Sequence, residues 1–557
     1  MLAAGASFSG SQRVSWRSLN LGESSVSTKR NVLFISADQW RADCLSVMGH
    51  QTVKTPQLDA LAADGVLFSQ HFCQAAPCGP ARASMLTGLY AMKHRSILNG
   101  TPLAERHTNL ALEVRKLGYD PILFGYTDTS LDTGRDAPGG VNLADRYMGV
   151  LPGFRVGVTY TQEMFLPWFS YLADKGYKLP ENALEVYLGR SKYPGANRSG
   201  RSYAAPIYDA ADSDTAYTTN KVLEYLQASQ DQPWFVHAVF LRPHPPLFAP
   251  EPYNGMFDPK SVPFPQRLST PDEEARQHPF LRFWLEKQSR PGSYPGHNYD
   301  VQNLPDYEIR QMVASYYGLI AEVDDHVGRL IDYLKSSNQL DNTLIIFTCD
   351  HGEQLGDHWL WDKGGYFDQS YHIPLIIRDP RTASARGRKV ESFTEAVDIL
   401  PTILDWLGAP TPQECDGRSL LPWLEGERPN QWRDFVHWEY DFRDPRTYDA
   451  EKSLNLASED CTLNVIRDRQ YKYVHFAQLP PLLFDLAEDP FEFDNKAEDR
   501  KYQPVMLTYA QKLLSLRMRH AERTLANTLL SPQGIFEHRG PRLASGQEAK
   551  AAVHTTA

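Results

Sequence analysis

An α/β domain built on a mostly parallel sheet flanked by helices, followed by a smaller C-terminal α+β subdomain, is the architecture this sequence predicts. Three observations carry that reading. Short apolar runs such as Asn31–Ser36, Trp234–Leu241 and Thr343–Thr348 lack polar alternation, as strands buried on both faces do. Helical stretches separate these runs, and strands alternating with helices imply crossover connections and a parallel sheet. After about residue 430 the chain changes to aromatic-rich segments of strand propensity, such as Tyr471–Phe476.

In chain order, Asn31–Ser36 is the first strand, and it ends in Ala37-Asp38-Gln39. A helix follows Pro56, and a second begins at Cys78-Gly79-Pro80, where Pro80 suits a first helical turn that needs no N–H. Leu110–Leu117 is a helix stopped by Gly118, and Pro121–Tyr126 is the next strand. Residues 130–215 and 250–305 are rich in Gly, Pro and polar residues and read as long irregular insertions that build the rim of a site. Between them lie the helix Thr219–Ala228 and the strand Trp234–Leu241, which runs into Arg242-Pro243-His244-Pro245-Pro246. The helix Ile309–Ser336 leads to the strand Thr343–Thr348, which ends in Asp350-His351. Pro374–Arg378 is a strand, Asp398–Leu407 a helix, and Gln503–Thr524 a last amphipathic helix. The division this gives is an extension at 1–30, a catalytic α/β domain at 31–430, an α+β subdomain at 431–536 and a flexible tail at 537–557.

Composition sets limits. With 557 residues and 42% hydrophobic content the chain can bury a large core. A net charge of -11 argues against a nucleic-acid or acidic-membrane partner, so an anionic substrate needs local positive groups and a metal. No apolar run has the length of a transmembrane helix. Six cysteines without close pairs do not form a disulfide framework, and reduced thiols in the cytoplasm are the simplest reading.

The chemistry gathers at strand ends. In open α/β sheets ligands bind beyond the carboxyl ends of the strands, so Asp38-Gln39, His244 and Asp350-His351 converge though distant in sequence. Oxygen ligands alone suit Ca²⁺ or Mg²⁺, and an added imidazole shifts the choice towards Mn²⁺, Zn²⁺ or Fe²⁺. Cys78 sits at a helix N-terminus, where anions are stabilised, with Arg82 one turn on. A Cys-Gly-Pro alone reads first as a packed thiol at a loop-to-helix junction, and the rest of the chain has to overturn that reading. Lys363 adds positive charge, and His244, with a near-neutral reference pKa, is the candidate for protonating a leaving group. His94, His107 and His358 read as structural or exposed.

Cys78-Gly79-Pro80-Ala81-Arg82 matches the C-x-P-x-R signature of the type I sulfatases of the alkaline phosphatase superfamily. It lies in order with Asp38, with Asp350-His351-Gly352, and with Leu483–Glu492, which is similar to the family's C-terminal segment. Asp38–Arg41, Cys78–Gly88, Gly125-Tyr126, Arg242–Pro246 and Asp350–Asp357 most resemble phosphonate monoester hydrolases and the bacterial arylsulfatases allied to them. The resemblance implies an alkaline-phosphatase-like fold and hydrolysis of sulfate and phosphonate monoesters, with promiscuity towards phosphodiesters. It implies that Cys78 is oxidised by a formylglycine-generating enzyme and that the hydrate of the formylglycine is the nucleophile. Asp38, Gln39, Cys78, Asp350 and His351 match the metal ligands; Arg82 would orient residue 78; Lys363 and His244 would hold the anion and assist the leaving group; Asn99 and Tyr126 would contact substrate. Family members are commonly dimers or tetramers, which implies a homodimer or homotetramer here.

Two departures carry information. Gln39 and His351 stand where ordinary sulfatases have Asp and Asn, which favours Mn²⁺ over Ca²⁺, with Zn²⁺ a further alternative. Asp128 stands two residues after Gly-Tyr, where phosphonate hydrolases have Thr, and a carboxylate there disfavours dianionic phosphate monoesters. Two rival readings remain: a phosphodiesterase or phosphate-transferring member of the superfamily, and a non-catalytic anion- or metal-binding protein in which Cys78 stays a thiol.

Overall fold

A computed structural model describes residues 30–130, 149–159, 165–196, 200–229, 232–522 and 528–537. The expected extension at 1–29 and the tail from 538 lie outside the described residues. Eight strands form the central sheet: β1 (Asn31–Asp38), β2 (Val66–Phe68), β3 (Ile122–Gly125), β4 (Arg155–Thr159), β5 (Phe235–Pro243), β6 (Thr343–Cys349), β7 (Leu375–Arg378) and β8 (Arg388–Val390). Their order is β4-β3-β5-β1-β6-β7-β2-β8. The first five in that order run parallel, while β7 is antiparallel to both neighbours. The sheet is mostly parallel, as the unbroken apolar runs predict: all of β1 and β6 and nearly all of β5 are buried.

Among the flanking helices are α1 (Pro56–Ala63), α2 (Cys78–Thr87), α3 (Leu110–Lys116), α4 (Leu166–Asp174), α5 (Asp214–Ala228), α6 (Pro279–Gln288), α7 (Asp306–Ser336) and α8 (Ile399–Trp406). The 31-residue α7 packs on α1, α5 and β5, and α8 packs on α2 and α3. The C-terminal part is an antiparallel meander of β9 (Val436–Asp441), β10 (Thr462–Arg467), β11 (Tyr471–Phe476) and β12 (Leu482–Asp485), covered by α9 (Gln503–Arg519). Its first strand is tied to the segment before α2, since Glu439 N–H donates to the Gln74 carbonyl at 2.9 Å.

The insertions are more ordered than their composition suggests. The 130–215 stretch contains β4 and α4, and 250–305 contains α6. Among the described residues β4 pairs only with β3, at the sheet edge, and it leaves Arg155, Val156 and Gly157 exposed, so it lacks the apolar run that marks a central strand.

Candidate active site

The sheet order explains the convergence. β3, β5, β1 and β6 are consecutive parallel neighbours, so the residues after their carboxyl ends lie side by side: Tyr126 and Asp128, His244, Asp38 and Gln39, Asp350 and His351. α2 brings Cys78 to the same edge. Pro77, extended, precedes the helix, and Gly88, in the left-handed region, closes it; all ten of its residues are buried. Gly79 permits the close approach: a Cβ there would meet the Asp128 carbonyl at 2.9 Å. Its N–H donates to Asn99 Oδ1 at 2.8 Å, so the half-buried Asn99 is fixed beside residue 78.

Asp38, Cys78, Asp350 and His351 each turn one donor atom to a common centre, all within 4.8 Å of one another and all buried. His351 Nδ1 donates to the Gly352 carbonyl at 3.0 Å, which leaves Nε2 with its lone pair facing the group, 3.1 Å from Cys78 Sγ. Two carboxylates, an imidazole and a sulfur position suit a divalent ion of intermediate hardness. Gln39 is placed differently: its amide oxygen accepts from Lys363 Nζ at 2.7 Å, and its amide nitrogen donates to Glu353 and, at 3.1 Å, to Asp362.

Arg82 is the central counter-charge. It is fully buried, donates from Nε to Asp350 Oδ2 and from Nη2 to Asp38 Oδ2, both at 3.0 Å, and lies 4.3 Å over the Tyr126 ring. It therefore acts on residue 78 through the two carboxylates beside it. The Tyr126 hydroxyl donates to Asp38 Oδ2 at 2.5 Å, so the expected substrate contact is first a brace on a carboxylate. Burial pushes the Asp38 carboxyl up, but His244, Arg82, His351 and Lys363 overcome it and hold the group well below the usual carboxylate range. Burial and Asp38 raise the Cys78 thiol well above its ordinary value, so as a cysteine it is a poor nucleophile at neutral pH.

His244 differs from the expectation drawn from its reference pKa. Burial and the Lys363 ammonium push it down to about 4. Its Nδ1 donates to the Pro245 carbonyl at 2.6 Å, and its Nε2 accepts from Lys363 Nζ at 3.3 Å. At neutral pH the imidazole is neutral and Lys363 carries the proton. Asp128 is buried, with Oδ2 3.9 Å from Arg82 Nε and Oδ1 without a hydrogen-bond partner among the described residues, and burial raises it to about 7.

Sequence reasoning assigned no role to Glu353, Asp362 or Tyr316. Glu353 and Asp362 grip the Gln39 amide nitrogen, and the Tyr316 hydroxyl donates to the Gln39 carbonyl at 2.8 Å. Glu353 carried a signal, because it follows Asp350-His351-Gly352 directly; Tyr316, mid-helix in α7, carried none. His94 and His358 are buried structural groups bonded to Ser84 and Glu274.

Such a strand-end site, with a helix N-terminus aimed at its acids, is that of an ester hydrolase. The chain belongs to the sulfatase family of the alkaline phosphatase superfamily: the sulfatase profile matches residues 30–409, and a profile for the C-terminal part of N-sulphoglucosamine sulphohydrolase matches 356–519. The multifunctional alkaline phosphatase superfamily protein PehA of Trinickia caryophylli is 44% identical over 518 residues, 91% of this chain and 99% of that protein. An arylsulfatase of Clostridium perfringens is 27% identical, over 92% of this chain and 99% of its own length. The crystal structure of the phosphonate monoester hydrolase of Agrobacterium radiobacter superposes with a TM-score of 0.87 at 47% identity, covering 92% of this chain and all of that one (100%).

Proposed function

We propose that the protein hydrolyses monoanionic esters, namely aryl sulfates and phosphonate monoesters, with phosphodiesters as further substrates, at residue 78 after its oxidation to formylglycine. The observation that carries this reading is the position of Cys78: first residue of α2, 3.1 Å from His351 Nε2 and 3.8 Å from Asp38 Oδ1, buried among the acids and the imidazole. A hydrated aldehyde there offers two hydroxyls, one to attack sulfur or phosphorus and one to release the product. The multifunctional relative at 44% identity and the phosphonate monoester hydrolase at 47% support a mixed ester range.

Asp38, Asp350, His351 and residue 78, with Gln39 alongside, would hold a divalent ion, Mn²⁺ by preference and Ca²⁺ or Zn²⁺ as alternatives. Bound there, it supplies Lewis-acid polarisation of the transferred group and lowers the pKa of the attacking hydroxyl. Arg82 fixes the two carboxylates. Lys363 contributes the positive charge that draws the anion and, with His244 beside it, steadies the charge that develops on the leaving group. Asn99 presents its amide beside residue 78. The support for a homodimer or homotetramer is an exposed apolar face on α9, where Leu507, Leu514 and Met518 are 60–61% exposed. Six buried cysteines, none in a disulfide, support a cytoplasmic setting, in which a formylglycine-generating enzyme acts on Cys78.

Mass spectrometry of the peptide bearing residue 78, with kinetics on an aryl sulfate, a phenylphosphonate monoester and a phosphodiester, tests the reading. Formylglycine and turnover of the first two are expected. A thiol throughout, in protein expressed with a maturation enzyme, overturns it in favour of a binder. Replacing Tyr126 by Phe removes the donor to Asp38 and is expected to weaken metal binding about 10-fold, read by titration of the chelator-treated protein. Asp128→Thr removes an acid from the anion pocket. The ratio of aryl phosphate to aryl sulfate turnover is expected to rise roughly 10-fold, because a dianion no longer faces that carboxylate.

A further inference from the structure

Behind the loop that carries His244 lies a buried charged group with no part in the chemistry so far. Arg242, the penultimate residue of β5, is fully buried, and its Nη1 donates to the carbonyls of His244 at 3.0 Å and Pro246 at 3.2 Å. Its Nε lies 3.6 Å from Oδ1 of the buried Asp214, the first residue of α5, and its guanidinium stacks 4.8 Å over the Tyr187 ring. A second buried acid, Glu322 of α7, adjoins the pair; burial raises both acids, Glu322 to about 8, and the Arg242 guanidinium opposes it at each, with Asp214 the acid within 4 Å of Arg242. Arg242 Nε and Nη2 and both Asp214 oxygens lack hydrogen-bond partners among the described residues.

Such an arrangement is expensive to fold. A buried ion pair with unmade hydrogen bonds is less stable than apolar filling of the same space, so stability does not account for it. The loop it serves does need a brace. Pro243, Pro245 and Pro246 have no N–H, so the backbone hydrogen bonds of His244-Pro245-Pro246 are few among the described residues: His244 N–H to the Leu241 carbonyl at 3.0 Å, and Phe248 N–H to the Pro246 carbonyl at 2.9 Å. One Arg242 nitrogen ties both ends of the turn. That turn also sets the His244 tautomer, because the Pro245 carbonyl takes Nδ1–H and turns Nε2 towards Lys363.

We propose that Arg242 is a positioning residue for His244, held in place by Asp214. The inference rests on the reading that His244 and Lys363 serve the leaving group. Lysine is not a substitute, since a single ammonium has no fixed fork to span two carbonyls and a carboxylate.

The test uses the full-length, matured, metal-loaded enzyme with aryl sulfates whose leaving groups run from nitrophenol to phenol. Arg242→Lys and Asp214→Asn are compared alone and in a His244→Ala background, with melting temperature as the control for folding. Arg242→Lys is expected to lower kcat about 10- to 100-fold for the poorest leaving group and much less for the best, with KM little changed. Asp214→Asn follows the same pattern more weakly, which keeps the inference testable if the arginine variant fails to fold. In the His244→Ala background neither is expected to cost anything more. An equal loss across all leaving groups, or a loss that adds in full to His244→Ala, overturns the brace. If His244→Ala itself leaves the leaving-group dependence unchanged, the role of His244 falls and the brace falls with it.

Discussion

Cys78→Ala is expected to lower turnover of an aryl sulfate by at least about 10⁴-fold, the scale on which enzymes lose a nucleophile, while the melting temperature changes little. The side chain is 2% exposed at the first position of α2, where alanine is a good helix former. What is lost is one sulfur atom facing His351 and Asp38, and the space left is smaller than a methylene cavity in a core, which bounds the folding cost at about 1 kcal/mol. Rate and stability are therefore separable, as they are not for Arg82, whose removal leaves two buried carboxylates unpaired. Steady-state kinetics beside thermal unfolding decide the matter, and full turnover by a folded Cys78→Ala protein sinks the nucleophile. A related observation sharpens it. Because a cysteine side chain lacks the two hydroxyls that the proposed reaction uses, wild-type preparations should show activity proportional to the fraction of residue 78 converted to aldehyde, with the thiol form contributing none.

Much of this site was legible in the sequence for one physical reason. A strand buried on both faces must be apolar along its whole length, so the first polar residues after it are conspicuous, and a parallel sheet gathers those residues at one edge. That is how Asp38, His244, Asp350 and His351 stood out. The edge strand Arg155–Thr159 obeys no such rule: with one neighbour and an exposed face it reads as loop. Side-chain engagement was illegible as well. Gln39 next to Asp38 suggests a second ligand oxygen, but spacing says nothing of Lys363, Glu353 and Asp362, which arrive from a distant loop and take hold of that amide. The reference pKa of histidine misled at His244 because titration depends on neighbours, and its neighbour Lys363 lies over a hundred residues away (separation 119). Beside that ammonium the buried imidazole is held neutral at pH 7.

Asp350→Asn is expected to abolish bound metal and to cost about 10³-fold or more in rate, since loss of a ligand removes several kcal/mol of charge stabilisation. Asp350 is anchored from three sides: Oδ2 accepts from Arg82 Nε at 3.0 Å, and Oδ1 accepts from the N–H groups of His351 at 2.8 Å and Gln39 at 3.2 Å. An amide oxygen can replace only one of the two carboxylate oxygens, and the NH₂ then faces the donor or donors that the other oxygen served. The substitution thus removes a charge and creates a donor facing donors, and the remaining carboxylate, Asp38, already answers to Arg82, Tyr126, His351 and Lys363. Elemental analysis measures the first effect directly. Thermal unfolding gives a second readout that needs no turnover. A ligand bound only by the folded state adds about 2.7 kcal/mol at a hundredfold excess over Kd, so chelator-treated wild type should melt about 2 °C higher on adding Mn²⁺, and more at larger excess. Asp350→Asn should melt at one temperature with or without the ion. A variant that keeps both its metal and its Mn²⁺-dependent melting shift would remove Asp350 from the ligand set and leave the buried pair it forms with Arg82 as a purely structural feature.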